Sequence, residues 1–128
     1  KGFIPERDGL LAGLMLLELM AYEKMTLGQI LEEIMNEEGH FYYDRTDLHT
    51  EKAQGIVKQL AQNPPNSFGG MRVSKVENLD GLKLNFEDGS WILFRASGTE
   101  PLLRVYVEAG SPEKLKAISG SFPSYLSD

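Results

Sequence analysis

The chain has 128 residues, 41% of them hydrophobic, enough for one small core plus part of another and too apolar for a disordered segment. A formal charge of -6 argues against a sequence-independent nucleic-acid binder, which needs a basic face to displace counterions. The absence of cysteine removes a disulfide framework and a thiolate metal site, and makes an intracellular, cytoplasmic setting the default reading. Lys1 stands where a methionine would, with no signal pattern behind it, so the chain reads as part of something longer. Charge is uneven: residues 1–38 carry three basic and eight acidic side chains, residues 39–128 ten and eleven. Any anion site must therefore be local.

Residues 8–21 predict a helix capped by Asp8 and apolar almost all round, which calls for burial on several sides. Glu18 interrupts it, and at about a dozen apolar residues it is too short to span a membrane. A second helix starts at Thr26 and carries Leu27, Ile30, Leu31 and Ile34 on one side. These four cannot cover the first helix alone, so the covering layer is expected upstream of Lys1. The pattern changes after Gly39, and a boundary there divides the chain into residues 1–38 and 39–128.

Residues 40–45 read as extended and aromatic, and residues 50–62 as a helix with Ala53, Ile56, Val57, Leu60 and Ala61 in one stripe, stopped by Asn63-Pro64-Pro65. Residues 66–70 read as a loop. Strands follow at 72–77, 82–87 and 90–95, joined by Asp80-Gly81 and Asp88-Gly89, both hairpin signals. A strand at 102–109 alternates Leu103, Val105, Val107 and Ala109 against Arg104, Tyr106 and Glu108. Ser111-Pro112 opens a last helix through Ser119, with serine as cap and proline in its first turn. The order β-α-β-β-β-β-α predicts an α+β fold, an antiparallel sheet with helices packed on one face, preceded by two helices.

The chemistry concentrates between the last two strands, in Arg95-Ala96-Ser97-Gly98-Thr99-Glu100-Pro101 and Arg104. Arginine presents a planar fork that matches phosphate oxygens, the Ser97 and Thr99 hydroxyls can donate to the same oxygens, and Gly98 lets backbone N–H groups approach. Glu100 would repel a dianion, so its expected task is to orient an arginine or accept backbone N–H bonds. Composition leaves two readings open: an anion-gripping loop, or an ordinary connection whose polar residues face water. His40 and His49, nine residues apart with no carboxylate pattern around them, read as structural rather than acid–base groups. Trp91 and Phe41-Tyr42-Tyr43 suit sugar stacking, but core or interdomain packing is the stronger expectation.

The run from Arg95 to Glu108, fourteen consecutive residues, resembles the phosphate-binding loop of the C-terminal domain of the α-D-phosphohexomutases, the family of phosphoglucomutase, phosphomannomutase and phosphoglucosamine mutase. Residues 4–10, Ile-Pro-Glu-Arg-Asp-Gly-Leu, resemble the segment that opens a long apolar helix in the family's third domain. Residues 39–47 resemble the entry into the fourth, more in phosphoglucomutase-like members. The resemblance weakens after Gly120.

That resemblance implies residues 1–38 as the end of a third mutase domain and residues 39–128 as a C-terminal phosphate-binding domain with a TATA-binding-protein-like fold. It implies an enzyme that interconverts hexose 1-phosphate and hexose 6-phosphate through a phosphoserine and a hexose 1,6-bisphosphate, with magnesium as cofactor. Arg95, Ser97, Gly98, Thr99 and Arg104 would contact phosphate, with Glu100 supporting and Arg7 near the reacting groups. Neither the metal loop nor the phosphoserine loop has a match here, so this piece alone is expected to bind and not to catalyse. Its partners would be a phosphosugar and the missing N-terminal domains, not a nucleic acid or a membrane. A freestanding anion-binding or interaction module is the alternative, and it would leave the helix at 8–21 uncovered. A nucleic-acid role for the sheet is weaker still, given the net charge.

Overall fold

The computed structural model of the chain describes residues 8–125. Asp8 opens helix α1 (Gly9–Glu23) by accepting the Leu11 N–H at 2.9 Å, and Thr26 opens α2 (Leu27–Glu38) with a reciprocal cap shared with Gln29. No residue of α1 is buried, and Leu10, Leu14, Met15 and Leu17 are all exposed. The apolar content of α1 is therefore unspent within its own unit. The chain divides into two such units, Lys1–Gly39 and His40–Asp128.

The second unit holds β1 (Tyr42–His49), α3 (Ala53–Gln62), β2 (Ser67–Phe68), β3 (Met71–Glu77), β4 (Leu82–Phe86), β5 (Trp91–Ala96), β6 (Leu102–Ala109), α4 (Pro112–Ser121) and a 3-10 helix (Phe122–Tyr125). The strands form one antiparallel sheet in the order β1-β6-β5-β4-β3-β2. Period-two alternation sorts each strand onto two faces. Leu82, Leu84 and Phe86 of β4, Ile92 and Phe94 of β5, and Leu103, Val105, Val107 and Ala109 of β6 are all buried. They meet Ala53, Ile56, Val57 and Leu60 of α3, and Leu115 and Ile118 of α4. Both helices thus cover one face, and the opposite face carries the polar and aromatic side chains.

The antiparallel sheet with helices on one face is the fold that the sequence predicts. Two local expectations change. The stretch at 66–70 is not all loop: Ser67 and Phe68 pair with Arg72 and Met71, and Gly69 and Gly70 turn the chain at φ 58 and 77. This short strand delivers Phe68 into the core, edge-on to Phe94 with ring centroids 5.8 Å apart. Two residues are too few to show alternation, which is why the sequence hides the strand. The first strand also runs on to His49, because all eight of its residues find partners on β6, from Tyr42↔Ala109 to His49↔Leu102.

The tail differs as well. Helix α4 continues to Ser121, and Phe122 of the following 3-10 helix folds back into the core. The turn between β4 and β5 is fastened to the start of α4: Asp88 accepts the Ser90 N–H at 3.0 Å and pairs with Lys114 at 2.6 Å. Lys114 holds the Asp88 carboxyl below the usual carboxylate range.

Phe94 is the hub of the packing, fully buried and in contact with the Phe68 ring. Phe94→Ala should cost about 3–5 kcal/mol of unfolding free energy in urea titrations. A loss near zero would mean that the sheet does not pack as described.

Candidate phosphate-binding site

The site is set by strand register. β5 and β6 pair so that Arg95 lies directly opposite Arg104, Leu93 opposite Tyr106 and Trp91 opposite Glu108. β1 continues the rows, with Asp47 opposite Arg104, Arg45 opposite Tyr106 and Tyr43 opposite Glu108. Because Ile92, Phe94, Val105 and Val107 face the helices, all of these alternate residues lie on the helix-free face. Like charges directly opposite across a strand pair repel each other. The pairing brings Arg95 and Arg104 together despite that cost.

Three carboxylates offset it. Asp80 Oδ2 lies 3.0 Å from Arg95 Nε, and Glu100 Oε2 lies 3.6 Å from Arg104 Nη2. Asp47 accepts two hydrogen bonds from Arg45, from Nε at 2.7 Å and Nη2 at 2.6 Å. Those bonds, with the charges of Arg45 and Arg104 added, hold the Asp47 carboxyl below its ordinary range. The Nε of Arg104 is buried and has no partner among the described residues. A residue pair of this kind has donor capacity to spare for an anion.

The connection between β5 and β6 is tightly closed. Ser97 N–H donates to Leu102 C=O at 2.8 Å, and Leu102 N–H donates to Glu100 C=O at 2.8 Å. Two anchors hold the loop: Thr50 N–H, in the connection between β1 and α3, donates to Pro101 C=O at 2.8 Å, and Gln54 Nε2 of α3 donates to Ser97 C=O at 3.4 Å. The Ser97 N–H is thus committed to loop closure. Among the described residues, the Gly98 and Glu100 N–H groups have no such bond, and Thr99 N–H reaches only the Ser97 hydroxyl at 3.5 Å. Gly98 is exposed, its φ lies outside the left-handed region, and a Cβ there would meet nothing within 4 Å. Nothing inside the chain demands glycine at this position.

Of the residues singled out in the sequence, the fold gathers Arg95, Ser97, Gly98, Thr99, Glu100 and Arg104 at one end of the sheet. Arg7 lies outside the described residues. His40 and His49 are both exposed, His49 at the end of β1. Phe41, Tyr42 and Tyr43 are exposed rather than in the core, because β1 is an edge strand. Trp91 is on the helix-free face, where its Nε1 donates to Glu108 at 2.9 Å and Lys83 Nζ sits 4.2 Å from the ring centroid. Sequence reasoning missed Asp80, Thr50 and Gln54. Asp80-Gly81 was legible only as a turn, and no local spacing links residue 80 to residue 95.

Residues 49–122, more than half of the chain, match the model of the phosphoglucomutase/phosphomannomutase C-terminal domain. The chain belongs to that family. It is 31% identical over 119 residues to a probable phosphoglucosamine mutase of Methanothermobacter thermautotrophicus, covering 93% of this chain and 25% of that protein. It is 33% identical over 115 residues to a phosphoglucomutase/phosphomannomutase of Thermococcus kodakarensis, covering 89% and 23%. The chain therefore spans about a quarter of the length of the curated relatives it matches. A crystal structure of a phosphoglucomutase/phosphomannomutase family protein from Burkholderia thailandensis has the same fold, with a TM-score of 0.65 at 24% identity over 93% of this chain and 23% of that one. Among the described residues, no helix is long and apolar enough to cross a membrane.

The Asp47 pair gives a pH test. Its folded value is depressed, so its stabilising contribution is present above the unfolded aspartate range and is lost as pH falls through the folded value. Carboxyl 13C NMR should place the Asp47 midpoint below about 3.9, and Arg45→Met should move it back up. An unmoved midpoint in that variant would refute Arg45 as the cause.

Proposed function

We propose that the chain is the phosphate-gripping C-terminal part of a phosphohexomutase, an enzyme that interconverts hexose 1-phosphate and hexose 6-phosphate through a phosphoserine and a hexose 1,6-bisphosphate. The observation that carries the reading is Arg95 opposite Arg104 beneath a closed loop with exposed Gly98 and Thr99. A phosphate dianion set against both guanidinium groups would relieve their mutual repulsion. The Ser97 and Thr99 hydroxyls and the Gly98 N–H supply further donors. Glu100 stays on the Arg104 side and steers that arginine. The work is positioning and charge compensation at whichever phosphate is not reacting.

In this reading α1 and α2 are the end of the preceding domain, and the exposed apolar surface of α1 is covered by the rest of that domain. Among the described residues, no group of three His, Cys, Asp or Glu side chains could hold a metal ion. In this reading magnesium and the phosphoserine belong to the remainder of the full-length protein.

Two experiments test it. The 128-residue chain given glucose 1-phosphate, magnesium and a bisphosphate activator should show no turnover, and appreciable turnover would sink the assignment. In the full-length enzyme, Arg95→Ala should lower kcat/KM roughly ten- to hundredfold, since a charge-assisted bond contributes about 1.5–3 kcal/mol. Unchanged kinetics would remove Arg95 from the site. Assays with glucose, mannose and glucosamine phosphates in parallel identify the sugar.

A further inference from the structure

Arg95 is held by a carboxylate fifteen residues upstream, in the turn between β3 and β4. Asp80 Oδ2 stands 3.0 Å from Arg95 Nε. The turn that carries Asp80 cannot drift. Gly81 has φ 113, and a Cβ there would lie 2.3 Å from the Phe94 carbonyl oxygen and 3.2 Å from the Arg95 Cα. Only glycine lets this turn rest so closely on β5. Its backbone is thus referenced to the same strand that presents Arg95.

The direction of approach also matters. A carboxylate on the Nε side occupies one edge of the guanidinium and leaves the edge formed by Nη1 and Nη2 for an oxyanion. Among the described residues, Arg95 makes no second ion pair. We propose that Asp80 is a positioning residue, which orients the Arg95 fork for phosphate without touching the ligand. This rests on the reading of Arg95 as a phosphate ligand.

Two effects of Asp80 oppose each other. Its charge repels an incoming dianion, but its side chain is 68% exposed, so solvent and salt reduce that repulsion to a factor of a few. Arg95 is 43% exposed and, left alone, would sample many rotamers. Full ordering of an arginine would be worth roughly thirtyfold in affinity, of which an exposed ion pair captures about two- to fivefold. Asp80 sits on the Nε side, away from the edge left for the ligand, so ordering outweighs the repulsion that remains and loss of Asp80 should weaken phosphate binding.

The test is 1H–15N NMR of the 128-residue chain, titrated with inorganic phosphate and then with glucose 1-phosphate. The Arg95 Nε–Hε signal and the Gly98 and Thr99 amides report on the site. Asp80→Asn should move the Nε–Hε signal before any phosphate is added and then weaken phosphate binding about two- to fivefold. Asp80→Glu should restore part of it. Glu87→Gln, whose carboxylate faces Arg72 instead, should bind as the wild type does. If Asp80→Asn binds phosphate as well as or better than wild type while Arg95→Ala abolishes binding, the positioning role is overturned and the phosphate site stands. If wild type shows no shift at high phosphate, or Arg95→Ala binds unchanged, both fall together.

Discussion

Arg95 and Arg104 face each other across β5 and β6, a placement of like charges that the strand register imposes and that carboxylates from three parts of the chain offset. A bare arginine pair at one end of a strand pair would splay or turn outward. Here β1 contributes Asp47 opposite Arg104, the turn between β3 and β4 contributes Asp80, and the connecting loop contributes Glu100. Each comes from a different part of the chain. The result is a charge-balanced cluster in which exposed carboxylates, screened by water, hold guanidinium groups whose donors exceed their acceptors.

Such a cluster needs a rigid base, and the opposite face of the same strands provides it. Ile92 and Phe94 alternate with Trp91, Leu93 and Arg95, while Leu103, Val105 and Val107 alternate with Arg104 and Tyr106. A one-residue slip of either strand would drive an arginine into the core and apolar core side chains into water. Core packing thus fixes the arginine register far more strongly than any contact between the arginines does. The loop above them is fastened to α3 through Gln54 and to the segment before that helix through Thr50, so its position follows from helix packing too.

The first unit obeys a different logic. Helix α1 is apolar around most of its circumference, yet five of its six leucines are exposed and α2 buries only Ile30. An exposed apolar surface of that kind marks a site of interaction, and the proposed function assigns it to contact with the rest of the preceding domain.

Much of this was legible in the sequence because it depends on local chemistry. Asp8, Thr26 and Ser111 mark helix starts since a side-chain oxygen must satisfy free N–H groups there. The alternation at 102–109 assigns Arg104 to the polar face, and the run from Arg95 to Glu108 identifies the family. The two-residue strand at Ser67–Phe68 stayed hidden because so short a segment has no period. The β1–β6 pairing, the commitment of the Ser97 N–H to loop closure and the partnership of Asp80 with Arg95 were decided only by tertiary structure. Each joins residues whose separation along the chain is set by how the sheet folds back on itself. Periodicity and caps report a residue's immediate neighbours; which carboxylate meets which arginine is settled only when the packed core fixes the register of the strands that carry them.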